Sequence, residues 1–231
     1  MHFFGVLQLF TAVSSVTAAT FMWNCTNSAA TCNNACYAMR NGLAPSTLTY
    51  DSDPANRTPR RTKSGCNRTP CSNAALPWSQ KGNSCDEFPF ASTFEGGTGA
   101  ILRCVDSKEN SSEGGQLSAF YKTISHNTKF NIMMNNYNQA PFCVSAGPWP
   151  NDGGQFKLAN GAFVNAKLRR GIDDVGVFTD AQPQGTPVTL REFEDQNGEK
   201  LLSLDPEVKE EDLVGTQIWN GAGLTTIVKM L

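Results

Sequence analysis

The sequence predicts an α+β fold: a small disulfide-stabilised core with a short antiparallel sheet and helices, followed by a β-rich C-terminal extension. Three observations support this prediction. The 231-residue chain contains eight cysteines, residues 85–150 mix helical and alternating hydrophobic patterns, and residues 151–231 contain several short strand-like stretches. A disulfide framework of this kind is typical of extracellular proteins.

Residues 1–19 are predicted to be a signal peptide. They are mostly apolar, they end in the small residues Thr17-Ala18-Ala19, and no charged side chain precedes Arg40. The strongly apolar run covers only about a dozen residues, fewer than the roughly 20 that span a bilayer. We therefore expect cleavage near Ala19 and a secreted, extracellular protein with no membrane partner.

The cysteines are expected to form four disulfides because an export signal implies an oxidising compartment. A zinc site is the alternative, since Cys32 and Cys36, and Cys66 and Cys71, have spacings that zinc sites use. The pairing cannot be read from the sequence. The eight residues are Cys25, Cys32, Cys36, Cys66, Cys71, Cys85, Cys104 and Cys143.

Three regions follow the signal peptide. Residues 20–84 are a loop-rich lead-in with one short helix over 31–39, and residues 85–150 form the core. In the core we expect a helix or turn at 89–93, strands at 100–105 and 128–134, and a helix at 117–121, from the hydrophobic periodicity. Residues 151–231 are an acidic extension with strands near 161–168, 175–178, 186–190 and 224–228.

The charge is unevenly distributed along the chain. From Thr20 to Pro150 there are 11 basic and 8 acidic residues, whereas residues 151–231 contain 8 basic and 13 acidic ones. The basic residues cluster at 57–68, which is predicted to be a loop. Such a cluster is either a solvated loop, a protease-sensitive dibasic site at Arg60-Arg61, or a surface that contacts backbone phosphates.

Four Asn-x-Ser/Thr sequons are potential glycan sites on exposed loops. They begin at Asn24, Asn56, Asn67 and Asn110. Their presence in an exported chain suits a glycoprotein.

The strongest candidates for chemistry are the adjacent carboxylates Asp86 and Glu87. Their charges repel each other unless a cation compensates them, and Mg²⁺ or Mn²⁺ needs only one or two protein carboxylates. The alternative, which composition alone favours, is that Asp86 caps a helix whose first turn contains Glu87 and Pro89. His126 is the one histidine after the signal peptide, so a site with several histidines is excluded.

Two motifs at a compatible separation resemble the NucA/NucB family of secreted deoxyribonucleases, in its filamentous-fungal branch. The motifs are DEFPFAS at 86–92 with EGG at 95–97, and NSSEGGQLSAFY at 110–121. The similarity continues through TKFNI at 128–132 to PFC at 141–143. It covers roughly residues 84–145.

The resemblance implies a largely non-specific DNA endonuclease that uses a divalent metal, Mg²⁺ or Mn²⁺, and contacts the DNA backbone. We also expect the protein to be a monomer. It places Asp86 and Glu87 in the catalytic acidic pair, with Glu87 as the expected base and Asp86 as the expected ligand, although the roles can be exchanged. Asn110 would be a further metal ligand. The expected substrate contacts are Glu95, Gln116, Ser118, Lys122 and His126.

Two features depart from that picture. Asn110 lies in a sequon, and a glycan there is incompatible with a ligand covered by DNA. The acidic extension lies outside the resemblance and could screen the groove, bind another partner or stabilise the fold. The alternative function is a non-catalytic secreted effector or antimicrobial binding protein on the same fold, but intact acidic residues at 86, 87 and 95 favour an enzyme.

Overall fold

The computed structural model describes residues 19–144, 147, 149–166, 188–220 and 223–231. The predicted signal peptide up to residue 18 and the predicted strand at 175–178 lie outside these residues. The described strands are β1 (Ala19–Asn24), β2 (Leu48–Thr49), β3 (Ser84–Phe88), β4 (Ile101–Val105), β5 (Lys129–Asn135), β6 (Gln155–Ala159), β7 (Ala162–Asn165), β8 (Arg191–Asp195), β9 (Lys200–Ser203), β10 (Gln217–Trp219) and β11 (Leu224–Met230). The α-helices are α1 (Ala29–Arg40), α2 (Arg57–Ser64), α3 (Ser107–Tyr121), α4 (Pro141–Val144) and α5 (Glu210–Leu213).

The larger sheet has the strand order β1-β5-β9-β8-β11-β10, and β2 also pairs with β5. Its β1–β5 pair is parallel, and the other pairs are antiparallel. Phe130, Ile132 and Met134 of β5 are buried, as their alternation predicts. Met133 is buried as well, because a second cluster that includes Phe193 covers the opposite face of the strand. β5 is therefore a central strand rather than a half-exposed one.

The smaller sheet is antiparallel, with the order β3-β4-β6-β7. β3 is an edge strand, and its register on β4 places Asp86 opposite Arg103 and Glu87 opposite Leu102. The sheet packs through a separate cluster that contains Trp78 and Phe156. The predicted strands at 100–105 and 161–168 correspond to β4 and β7.

The lead-in contributes to the main core. Phe21 and Trp23 of β1 and Tyr37 of α1 are each 1% exposed and belong to the same cluster as Phe130 and Phe142. The helix predicted at 31–39 is confirmed and extends slightly at both ends. Elements before and after residue 85 thus pack around a single cluster.

The four predicted disulfides are confirmed, and the zinc alternative is wrong. The pairs are Cys25–Cys32, Cys36–Cys143, Cys66–Cys85 and Cys71–Cys104, and no described cysteine is free. Cys32 and Cys36 share a face of α1, yet each bonds a different part of the chain.

The basic segment is a helix, α2, so the prediction of a loop there is wrong. Its residues have no hydrophobic periodicity, and tertiary contacts hold it instead: an Arg60–Asp51 ion pair of 2.6 Å and the disulfide from Cys66. Gly65 ends the helix with φ 98°, and a Cβ there would lie 2.7 Å from the Phe163 ring. Only glycine suits that position.

The β-rich extension is confirmed, and it enlarges both sheets. β6 pairs with β4, and β9 pairs with β5. The strand predicted at 224–228 is β11, whereas the described part of 186–190 is not a strand. Across the described residues, no helix is both long and apolar enough to cross a membrane. The α+β prediction is therefore confirmed.

Candidate active site

A cleft of ≈ 490 Å³ opens between α2, β3 and α3. Its walls combine carboxyl, guanidinium and aromatic side chains, which makes it suitable for a charged ligand. The residues that line it are Tyr50, Arg57, Arg61, Ser84, Cys85, Asp86, Glu87, Phe90, Ala91, Ser92, Ser107, Asn110, Ser111, Glu113, Gly114, Leu117, Ser118, Tyr121 and Lys122.

β3 brings both predicted carboxylates to this cleft. Asp86 lies in the middle of the strand rather than at the start of a helix, so the helix-cap alternative is wrong. Successive side chains of a strand point to opposite faces. Asp86 turns towards α1 and α3, where it meets Asn34, and Glu87 turns towards α2, where it meets Ser64.

Asp86 is 3% exposed. The Asn34 amide donates a hydrogen bond of 2.9 Å to its Oδ2 and a second of 3.0 Å to the Ile101 carbonyl. Burial raises the pKa of the Asp86 carboxyl to about 6, although hydrogen bonds and the charge of Arg103 favour its ionised form. Asn34 therefore fixes the orientation of a carboxyl that is costly to ionise.

Glu113 of α3 is the third buried carboxyl, and the sequence interpretation did not select it. It is 4% exposed and shares a hydrogen bond with Asp86. Burial first, and then the charge of Asp86, hold the pKa of Glu113 well above its usual range. Two carboxyls that share a hydrogen bond retain a proton unless a cation replaces it.

Glu113 could have been identified from the helical spacing. Asn110, Glu113, Leu117 and Tyr121 are separated by three or four residues, and all four line the cleft. A carboxylate on the same face as Leu117 is a buried acid, which is rare in soluble proteins.

Glu87 is 8% exposed and approaches the basic helix. The Ser64 hydroxyl donates a hydrogen bond of 3.2 Å to its Oε2. Burial raises the pKa of the Glu87 carboxyl to about 7, against the opposing charge of Arg61. A carboxyl with this pKa can both accept and release a proton near neutral pH.

The residues fit a hard divalent cation that is held partly by water. Within the described residues, Glu87 Oε1, Glu113 Oε2 and Asn34 Oδ1 are buried without a hydrogen-bond partner. Buried polar atoms normally have partners, and oxygen atoms are the ligands that Mg²⁺ and Mn²⁺ prefer. No group of three or more His, Cys, Asp or Glu forms a ready-made metal cage in the described part of the chain. An ion bound by one or two carboxylates together with water needs no such cage.

Asn110 lines the cleft and joins α3 to β3. Its Nδ2 donates hydrogen bonds of 2.7 Å to Ser84 Oγ and 3.1 Å to the Cys85 carbonyl. Both amide hydrogens are therefore used, and a glycan would replace one of them. Its role as a metal ligand, which would use Oδ1, stays a prediction.

The other five predicted contacts are divided between two places. Ser118 and Lys122 are exposed at the edge of the cleft. Glu95, Gln116 and His126 do not line it.

Each of those three distant side chains has a structural contact. Glu95 accepts a hydrogen bond of 2.9 Å from the Thr49 amide, and Gln116 bonds both the amide and the carbonyl of Asn24. His126 Nδ1 accepts one of 3.1 Å from the Ser52 amide. The structure does not bring these residues to the carboxyl cluster.

Several residues in or beside the cleft come from the lead-in and carry no local signal of a site. Tyr50, Arg57 and Arg61 line the cleft, whereas Asn34 and Ser64 contact Asp86 and Glu87. Only long-range packing brings these lead-in residues to β3. The basic charge of the 57–68 segment was the one available indication.

Residues 35–133 match the family described as Deoxyribonuclease NucA/NucB. The matched region extends from α1 into β5 and contains every residue that lines the cleft. A comparison with curated proteins gives no match.

Proposed function

Because residues 35–133 belong to the NucA/NucB family of deoxyribonucleases, we propose that the protein is a secreted, metal-dependent endonuclease that hydrolyses DNA with little sequence preference. The observation that carries the proposal is the cluster of three buried carboxyls, Asp86, Glu87 and Glu113, at one open cleft. Buried carboxylates that repel each other are costly to a fold and are typical of catalytic sites.

Asp86 and Glu113 are the residues that would hold Mg²⁺ or Mn²⁺. A divalent ion would offset the repulsion between these two buried carboxylates, and Asn34 keeps Asp86 oriented. When bound, the ion supplies a Lewis acid that stabilises charge on the scissile phosphate and acidifies a bound water. Asn110 positions α3 against β3 and could add its Oδ1 as a ligand.

Glu87 acts as the general base. Ser64 holds one carboxylate oxygen, and the other, Oε1, has no hydrogen-bond partner among the described residues. Oε1 can therefore take the proton of the attacking water. Its pKa of about 7 is matched to work near neutral pH, where the ionised form is available.

Two exposed residues at the cleft contact the substrate backbone. Lys122 and Ser118 are exposed at the edge of the cleft, one helical turn apart, where flanking phosphates would pass. Contacts of this kind carry no base information, so cleavage depends little on sequence.

The proposal also includes that the protein is exported from the cell and acts as a monomer. The four disulfides suit an oxidising, extracellular compartment, and residues 1–19 would be removed as the signal peptide. Sequencing the N-terminus of the secreted protein tests the cleavage near Ala19.

Plasmid digestion by the purified secreted protein tests the activity. We expect nicking with Mg²⁺ or Mn²⁺, its loss with a chelator, and at least a 100-fold reduction in Glu87→Gln and Asp86→Asn, as for loss of a general base or metal ligand. Glu211→Gln is the matched control, because that side chain is 72% exposed on α5. Activity in both cleft variants would refute the assignment of these residues. No nicking with any metal would favour the non-catalytic binding protein.

A further inference from the structure

The basic helix α2 presents its charges in two different ways. Arg57 and Arg61, four residues apart and hence on one side of the helix, line the cleft. Arg60 turns to the core, where it pairs with the buried Asp51 at 2.6 Å. Lys63 is exposed and does not line the cleft. These residues form a single basic run in the sequence, but in the structure their side chains lie in three different places: the cleft, the core and the solvent.

The guanidinium groups of Arg57 and Arg61 form no ion pair with any carboxylate in the described part of the chain. Neither guanidinium has an ion pair or a side-chain hydrogen bond within the described residues, whereas Arg60 and Arg103 each pair with a carboxylate. Moreover, Arg57 Nε is buried and has no hydrogen-bond partner in that part of the chain. A buried guanidinium nitrogen without an acceptor costs free energy, which a bound anion would recover.

The opposite wall of the cleft is acidic. Asp86, Glu87 and Glu113 would repel a phosphodiester that approached without a compensating positive charge. The two arginines supply that charge, and Arg61 is near enough to Glu87 to act on its carboxyl. An anionic substrate therefore reaches the carboxyls along the arginine side.

We propose that Arg57 and Arg61 bind two backbone phosphates of the DNA strand that is cut, and so hold its scissile bond against Glu87. The inference rests on the proposed function. Four helical residues rise roughly 6 Å, which is comparable to the roughly 7 Å rise between two phosphates that lie two nucleotide steps apart on one strand. Guanidinium groups suit this task because they bind phosphate oxygens in a bidentate manner.

The position of the pair is fixed by its surroundings. The Arg60–Asp51 ion pair anchors the middle of α2, and Ser64 at its last residue donates to Glu87. Cys66, immediately after the helix, is bonded to Cys85 on β3. The phosphate-binding helix and the catalytic strand are therefore joined covalently.

The salt dependence of DNA binding tests the inference. All binding is measured with a duplex oligonucleotide in a Glu87→Gln background, which prevents cleavage. Each phosphate contact contributes about 0.9 to the slope of log K against log[salt], so Arg57→Gln/Arg61→Gln is expected to reduce the slope by about 1.8. Arg57→Lys/Arg61→Lys, which keeps both charges, is expected to recover most of it.

Lys63→Gln/Lys200→Gln is the matched control, with the same loss of charge from exposed side chains outside the cleft. It is expected to leave the slope unchanged. Equal slopes in the arginine variant and the parent would overturn the inference, as would an equal fall in the control. If the double variant does not fold, the single variants are each expected to lose about half as much slope.

Plasmid nicking by the wild-type protein separates the two proposals. Nicking with an unchanged slope in the arginine variant would leave the endonuclease in place and remove the phosphate contacts. A reduced slope in the arginine variant, without any nicking by the wild-type protein, would support the phosphate contacts and remove the endonuclease proposal.

Discussion

Removal of the Cys66–Cys85 disulfide should impair activity more than its effect on stability explains. Cys66 follows α2, and Cys85 immediately precedes Asp86 on β3. The bond therefore joins α2, which carries Arg57 and Arg61, to β3, which carries Asp86 and Glu87. In Cys66→Ser/Cys85→Ser we expect a folded protein in which α2 and β3 can separate.

The expected stability losses follow from the chain closed by each disulfide. Cys66 and Cys85 are 19 residues apart, Cys25 and Cys32 are 7 apart, and Cys36 and Cys143 are 107 apart. The entropic relation gives about 3.2, 2.4 and 4.8 kcal/mol for these three bonds. Cys25→Ser/Cys32→Ser is thus a control whose loss of stability is close to that of the test variant.

The assay compares nicking rates at 25 °C with free energies of unfolding from urea titration. We expect at least a tenfold lower rate for the Cys66/Cys85 variant and a rate within twofold of wild type for the Cys25/Cys32 variant, since a small displacement of positioned groups is enough to cost this much. If both variants lose activity in proportion to their stability, the bond has no specific role at the cleft and the reasoning is refuted.

Two further variants test the buried charges. Asp51→Asn should lower the free energy of unfolding by roughly 3–5 kcal/mol at pH 7, since it breaks a buried ion pair. Burial would raise the pKa of Asp51, but hydrogen bonds from Arg60, the Asp53 amide and Asn56 outweigh it and hold the pKa below its usual value. The stabilisation from ionised Asp51 is therefore present above about pH 4 and is lost as the pH falls below that value. Urea titrations should show a smaller difference in the free energy of unfolding between Asp51→Asn and wild type at pH 3 than at pH 7. An equal difference at both pH values contradicts the ion pair. Glu113→Gln should abolish nicking, and normal nicking by this variant would remove Glu113 from the site. At pH 8 in chelator the same variant should melt at a higher temperature than wild type. The reason is that the raised pKa of Glu113 makes its ionised form destabilising above about pH 4.5.

Much of the fold could be predicted because its signals are local. The periodicity of residues 31–39 predicts α1, and the alternation of Phe130, Ile132 and Met134 predicts β5. The even cysteine count predicts four disulfides. The basic helix α2 could not be predicted in the same way, because an ion pair and a disulfide, rather than a hydrophobic face, hold it in place.

The site was predictable only in part, for the same physical reason. Asp86 and Glu87 are adjacent in sequence, so their mutual repulsion can be seen without a structure. The helical spacing of Glu113 marks it as a buried acid, but its contact with Asp86 depends on the packing of α3, and Asn34 and Ser64 contact the acidic pair across 52 and 23 residues. Adjacency in the sequence identified the acidic pair, whereas the strand that carries the pair and the groups that orient its carboxyls depend on tertiary packing.

The structure also indicates a role for the acidic extension. Of the three possibilities raised by its composition, stabilising the fold has direct support, since β6 pairs with β4 and β9 pairs with β5. The residues that line the cleft all lie between Tyr50 and Lys122, so none of the described extension forms its wall. The extension also supports the basic segment, where the Arg68 guanidinium donates a hydrogen bond of 2.8 Å to the Gly161 carbonyl.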